Sequence, residues 1–196
     1  NVADANRPLA ALEFIIEDGG SAWRIAEPRQ VTYPLYVESM AVDKQGPYYS
    51  SVKAKIKVNE SVIDVTYYLK AGSEYVGIDL DVTWVERGSK EKGTPNLTMR
   101  LPYRFTDPVA KYEIPYGSIE RKTKAGQEVP SLRWADVTGP LACGTKAGCT
   151  LLNDSKYGHS MQDSTLKLSL IRSTFYPELF TETGHHKIKL ALMPHA

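Results

Sequence analysis

The chain has 196 residues, 42% hydrophobic and 24% charged; this is an ordinary globular balance that fits one large domain or two small ones. A net charge of +1 supplies no polybasic footprint for nucleic acid or a membrane surface. No apolar run approaches the roughly 20 residues of a membrane-spanning helix. The sequence opens on Asn1 without a secretory leader or an initiator Met and stops just after a strand-like segment. It therefore reads as a piece of something longer, with any upstream targeting signal outside it.

In chain order, residues 8–17 (PLAALEFIIE) suit a short helix or a strand, with Asp18-Gly19-Gly20 as the turn after it. Trp23 is expected to be a packed aromatic. Residues 33–42 alternate imperfectly as a strand, which Gly46-Pro47 breaks. The pattern then becomes clean: Val52, Ala54, Ile56 and Val58 alternate with Lys53, Lys55 and Lys57, the lysines marking the solvated face of an antiparallel strand. Asn59-Glu60-Ser61 signals a hairpin into residues 62–69, and Ala71-Gly72-Ser73 makes the next turn. Residues 75–85 form a long strand with Val76, Ile78, Leu80, Val82 and Trp84 on one side and Asp79, Asp81 and Thr83 on the other. Carboxylates at i and i+2 on one strand face lie about 7 Å apart, a separation a glycosidase pair can use. Two Asp residues on a solvated strand face are the commoner explanation.

Residues 86–95 read as a charged surface loop and 96–105 as a strand that Pro102 places at an edge or a bulge. Short strands follow at 112–114, 118–121, 132–138, 149–152, 166–171 and 187–192. There is no long amphipathic helix and no internal repeat. About ten to thirteen turn-bounded strands with alternating burial predict an all-β fold, a large antiparallel two-sheet sandwich. Cys143 and Cys149 flank Gly-Thr-Lys-Ala-Gly; the spacing suits the two arms of a short hairpin, so a disulfide or two free thiols both fit. The pair, with no further Cys or His nearby, makes a poor metal site. Three N-x-S/T sequons, at Asn59, Asn96 and Asn153, barely exceed chance and carry no secretory conclusion.

Residues 148–172 (GCTLLNDSKYGHSMQDSTLKLSLIR) carry the most chemistry. They read as strand, polar elbow, turn, strand, with Leu166, Leu168 and Leu170 alternating against Lys167 and Ser169. A hairpin needs two to five turn residues; this connection runs about a dozen and holds an Asp, a Lys, a Tyr and a His.

LLNDSKYG, followed by LSLIRS, a Tyr-Pro, a Thr-Gly-His and finally ALMPH, resembles the C-terminal β-domain of family 38 glycoside hydrolases, the α-mannosidases, in particular the cytosolic and vacuolar type and its bacterial relatives. IPYGSIERKT at 114–123 and EVPSLRWADVT at 128–138 agree in order and spacing. The likeness covers roughly residues 112–195; Trp23 in SAWRI looks like the start of the same region, and between 26 and 111 only the general pattern of strands is similar. The resemblance implies a mutarotase-like supersandwich, a strand at 8–17, and a single β-sandwich domain over residues 1–196 within a larger multidomain glycosidase. It implies metal-assisted, retaining removal of terminal α-linked mannose. In the family the nucleophile and the His and Asp ligands of a divalent, zinc-like metal belong to an N-terminal α/β barrel. Here there is no α/β alternation and no H-x-D pair, so no catalytic residue, metal ligand or cofactor is assigned to this chain. The implied partners are that barrel and an α-mannoside oligosaccharide, without nucleic acid or membrane; self-association is open. The residues leave the compartment open, and the resemblance favours the cytoplasm.

Candidates for the substrate cleft are Asn153, Asp154, Lys156 and Tyr157, whose side chains can accept from, donate to or stack on a sugar. A local Asp154–Lys156 pair and a Tyr157-Gly158 turn would explain the same residues. The family's glycine-containing loop near the cleft corresponds to Thr183-Gly184-His185, adding Gly184 and His185; related enzymes place an Arg there, where this chain has His185-His186. Those two imidazoles point to opposite faces of a strand, so they do not readily share a metal. Arg133, Trp134 and Asp136 form a second set, although a strand Trp is more often core than sugar platform. Tyr116 and Glu120 match the family signature, yet Pro115-Tyr116-Gly117 is explained by a turn or bulge. Two other functions fit the residues: a stand-alone carbohydrate-binding domain using Tyr48, Tyr49, Tyr67 and Tyr68, or a structural, oligomer-forming domain.

Overall fold

The computed structural model describes the chain except residues 1, 4–5, 24–29, 34, 123–126 and 181, and only the backbone of residues 30–33. Arg24 and Ile25 of SAWRI and Thr123 of IPYGSIERKT thus lie outside the described residues. Residues 8–17 contain a strand, β1 (Ala11–Glu17). Its alternation decides this: Phe14 packs edge-on against Trp84 with ring centroids 6.0 Å apart, while the neighbouring side chains face the other way. β2 (Gln30–Tyr33) pairs with β1.

β3 (Tyr36–Gln45), β4 (Tyr49–Val58), β5 (Ser61–Lys70) and β6 (Val76–Trp84) form an antiparallel meander. Asn59 and Gly72, both at positive φ, make two of its turns. Ala54, Ile56 and Val58 point inward and the lysines between them outward. On β6, Ile78, Leu80, Val82 and Trp84 are buried, while Asp79, Asp81 and Thr83 face out, as the alternation predicts. β7 (Thr94–Pro102) then crosses to the second layer, between β1 and β14 (Thr165–Arg172). Pro102 therefore lies neither on an edge strand nor at a bulge. It ends a central strand opposite Thr165, where its missing N–H interrupts no interior rung.

The remaining strands are β8 (Val109–Ile114), β9 (Gly117–Glu120), β10 (Val129–Pro130), β11 (Trp134–Pro140), β12 (Lys146–Asn153), β13 (Gly158–Gln162) and β15 (Gly184–His195). The described residues thus form fifteen strands, more than the expected range, chiefly because β13 sits inside what the sequence presents as one long connection. All pairings between strands are antiparallel, in a six-stranded sheet ordered β10-β13-β14-β7-β1-β2 and a nine-stranded sheet ordered β3-β4-β5-β6-β15-β12-β11-β8-β9. No helix occurs among the described residues. The two sheets share one core in which Trp84, Tyr103, Tyr112, Leu97, Met99 and Leu151 are fully buried. Burial of an apolar side chain such as Leu97, Met99 or Leu151 stabilises the sandwich by roughly 1.5–3 kcal/mol.

Two local expectations, both on tryptophans, change, and the cysteine alternative is decided. Trp23 is 72% exposed, not packed in a core; its ring meets Tyr176 edge-on at 5.9 Å. Trp134 is half-buried on the outer side of β11, opposite Leu152, because its neighbours Ala135 and Val137 occupy the core face. Both cysteines are free: Cys143 lies exposed in a turn and Cys149 is buried on β12, where burial pushes its thiol up to about 11.

Candidate functional site

The elbow is where the chain changes sheets. β12 belongs to the nine-stranded sheet and β13 to the six-stranded one, so residues 154–157 carry the backbone across the sandwich. Asn153 closes the turn. Its side-chain Nδ2 donates to Leu132 O at 3.3 Å and its Oδ1 accepts from the Lys156 N–H at 2.7 Å, an Asx-type turn. Asn153 is 7% exposed, and its amide is committed to the backbone.

Asp154 ties the elbow to β15. Its N–H donates to Lys189 O at 3.3 Å, and its Oδ1 accepts from the Lys189 N–H at 3.3 Å and the Ser155 hydroxyl at 3.0 Å. An N–H and a hydroxyl, not an ion pair with Lys156, hold this carboxylate. Lys156 is half-buried; burial lowers the pKa of its ammonium, and the charges of Glu182 and Asp154 oppose that shift. Tyr157 is 55% exposed, and its carbonyl accepts from the Ser131 N–H at 2.9 Å. Its backbone is thus anchored while the ring is exposed. At Gly158 a Cβ would meet Glu128 Oε2 at 2.4 Å, so the Glu128 carboxylate packs directly on the elbow's end. Burial raises the pKa of the Glu128 carboxyl, and the Ser169 hydroxyl, donating at 2.5 Å, partly offsets this.

Gly184 and His185 open β15 opposite Trp84 and Thr83. Gly184 has φ +149, a value glycine tolerates and other residues rarely adopt. His185 faces outward and pairs through Nε2 with Asp81; His186 turns the other way, its Nε2 against Glu182 O at 2.7 Å. The elbow meets β15 at Lys189, about 17 Å along the strand from Gly184. The candidates therefore border one strand at two places, with Lys156 and Glu182 interacting between them.

The second set is held by local partners. Arg133 donates its N–H to Glu113 Oε2 at 2.6 Å and its guanidinium to Oε1 at 3.3 Å. Asp136 accepts from the Thr150 hydroxyl at 2.7 Å and pairs with His195 Nε2 at 2.8 Å, which raises the imidazole pKa. Tyr116 is the positive-φ turn residue between β8 and β9, and Glu120 lies opposite Lys111. Among the four tyrosines, Tyr49 and Tyr68 stack on each other at 5.7 Å with Lys44 and Lys70 over their rings. Tyr67 donates to Ala10 O at 3.0 Å. Tyr48, 81% exposed, is the open ring of that group.

A further patch escaped sequence reasoning. Trp23, Tyr176 and Phe180 are exposed, and the Arg87 guanidinium lies 4.6 Å from the Phe180 ring centroid. Gly20 O accepts from the N–H groups of Phe175 and Tyr176, and the Ala22 N–H donates to Tyr176 O, fixing two distant loops together. Nothing local in the sequence signals this, because the rings come from irregular segments far apart in the chain. Among the described residues, no group of three His, Cys, Asp or Glu side chains could hold a metal ion.

An all-β sandwich of two antiparallel sheets, with a polar elbow at the crossing between them, is the class of structure these features define. Residues 13–180 match the model of the glycosyl hydrolases family 38 C-terminal domain, and the chain belongs to that family. It is 32% identical over 165 residues to alpha-mannosidase 2C1 of Homo sapiens, covering 80% of this chain and 15% of that protein. It is 28% identical to the alpha-mannosidase of Saccharomyces cerevisiae, covering 95% of this chain and 18% of that one. The chain thus spans less than a fifth of the length of these relatives. A solved structure of a family 38 glycosyl hydrolase protein from Enterococcus faecalis superposes with a TM-score of 0.75 at 13% identity, over 95% of this chain and 26% of the other, a likeness of fold.

Proposed function

We propose that this chain is the β-sandwich portion of an α-mannosidase, bracing an N-terminal catalytic barrel and lending the elbow to one wall of its mannose cleft. The observation that carries the reading is family membership over residues 13–180, joined to an elbow whose Asp154 is pinned to β15. The reaction of the intact protein is retaining removal of terminal α-linked mannose, and its divalent metal, held by His and Asp of the barrel, would supply Lewis-acid chemistry at the sugar. This chain's own share is positional. The Tyr157 ring offers a stacking face, and the Lys156 ammonium and Asp154 carboxylate offer a donor and an acceptor for hydroxyls. Gly184 and His185 would approach the cleft from the start of β15.

The test uses the full-length enzyme and an aryl α-mannoside. Lys156→Met and Tyr157→Ala are each expected to raise KM about tenfold, the equivalent of one lost charged hydrogen bond or stacking contact, with the melting temperature unchanged. Wild-type KM and kcat in both variants would remove the elbow from the cleft. The 196-residue chain alone is expected to be inactive; hydrolysis that survives chelation and repurification would place the reaction centre within it.

A further inference from the structure

The outer face of the nine-stranded sheet holds a groove of about 610 Å³ across β4, β5, β6 and β15, within the size range of small-ligand sites. Two cross-strand rungs floor it. One reads Lys55, Asp64, Asp81, Lys187 and the other Lys53, Thr66, Asp79, Lys189, with neighbouring strands about 4.8 Å apart.

The charges are not matched to one another. Lys53 is drawn to Asp43 on β3 at 3.2 Å and Lys55 to Glu38 at 3.7 Å, while Asp81 pairs with His185. Among the described residues this leaves Asp64 and Asp79 on one side and Lys187 and Lys189 on the other without an ion pair. Asp79 Oδ1 is buried with no donor. Asp64 also lies directly opposite Asp81, a like-charge cross-strand pair that works against the sheet.

We propose that this groove binds a neutral oligosaccharide. The floor interleaves carboxylates and ammonium groups, so an ion of either sign is attracted by part of it and repelled by the rest. A polyhydroxyl chain is served by both halves, donating hydroxyls to Asp64 and Asp79 and accepting from Lys187 and Lys189. It would also satisfy the orphaned Asp79 oxygen. The groove faces away from the core on the central strands, whereas the elbow lies beyond the end of β12. The two sites meet at Lys189, whose N–H donates to Asp154, and at Asp81, which pairs with His185; Thr66 and Asp79 report the groove alone, so either reading can fail without the other.

The test is a titration of the 196-residue chain with α-linked mannotriose, followed by amide chemical shifts, with triglutamate and trilysine as charged probes. Shifts are expected at Thr66 and Asp79, away from the elbow, with a Kd of about 1–10 mM. Asp79→Ala and Lys189→Met should each weaken binding about tenfold, and Lys146→Met, exposed on β12 outside the groove, should leave it unchanged. If Asp79→Ala fails to fold, Lys187→Met takes its place. Three results overturn the proposal: no groove shifts up to about 50 mM saccharide, shifts confined to residues 153–158, or tighter binding of either charged peptide.

Discussion

His159 is buried, edge-on to Tyr112 at 6.1 Å, with its Nε2 unpartnered. Burial lowers its imidazole pKa from 6.5 to about 4. Below pH 6.5 the unfolded chain takes up a proton that the folded chain refuses, so stability falls as the pH drops and the loss is complete near pH 4. The total is about 3 kcal/mol. In urea unfolding between pH 7 and 4, wild type should lose about that much relative to His159→Gln; a pH-independent gap between the two would refute the assignment. Glu17 is another buried group. It is 0% exposed and receives Arg172 Nε at 2.8 Å and Asn96 Nδ2 at 2.6 Å. Arg172→Leu strands this carboxylate and should cost about 3–5 kcal/mol. Adding Glu17→Gln should recover part of that in chemical denaturation, since the buried charge is then gone.

At the scale of elements, the elbow depends on Asn153 more than on the residues that point outward. Asn153→Ala removes the acceptor for the Lys156 N–H and the donor to Leu132 O, costing about 1–3 kcal/mol. Hydrogen exchange should quicken at residues 154–157 while β14 stays protected; unchanged exchange would deny Asn153 this role. The cross-strand pattern of β4 to β6 was legible because every second residue is apolar and the turns carry Asn, Gly and Ser. β13 was not legible: Gly158-His159-Ser160-Met161-Gln162 lacks clean alternation, and it is a strand because β10 and β14 pair with it. β3 is legible as a strand but not in its environment. It ends the nine-stranded sheet with Met40 and Val42 exposed, and two register shifts against β4 blunt it as an edge.

Across the whole molecule, both sheets contribute to one core, and Trp84 Nε1 donates to Ser173 Oγ at 2.7 Å. Neither sheet has a separate interior, so heating should produce one cooperative transition with equal calorimetric and van't Hoff enthalpies. Two resolved transitions would mean that the layers unfold independently. The candidate residues also acquire meaning only at this scale. Asp154 and Gly184 are thirty positions apart yet border the same strand, and the lysines of β4 find their acids on β3.

The sequence by itself determined the all-β class, the outward lysines and aspartates of β4 and β6, and the family likeness carried by residues around the elbow. These are local properties: period-2 alternation and turn chemistry act over a few residues. Only the tertiary structure decided that the elbow crosses between sheets, that Asn153 is spent on closing it, and that Trp23 meets Tyr176 on the surface. It also decided that Asp64, Asp79, Lys187 and Lys189 share a groove. Those outcomes depend on which distant strands pair and in what register, and long-range pairing is set by the packing of the whole core.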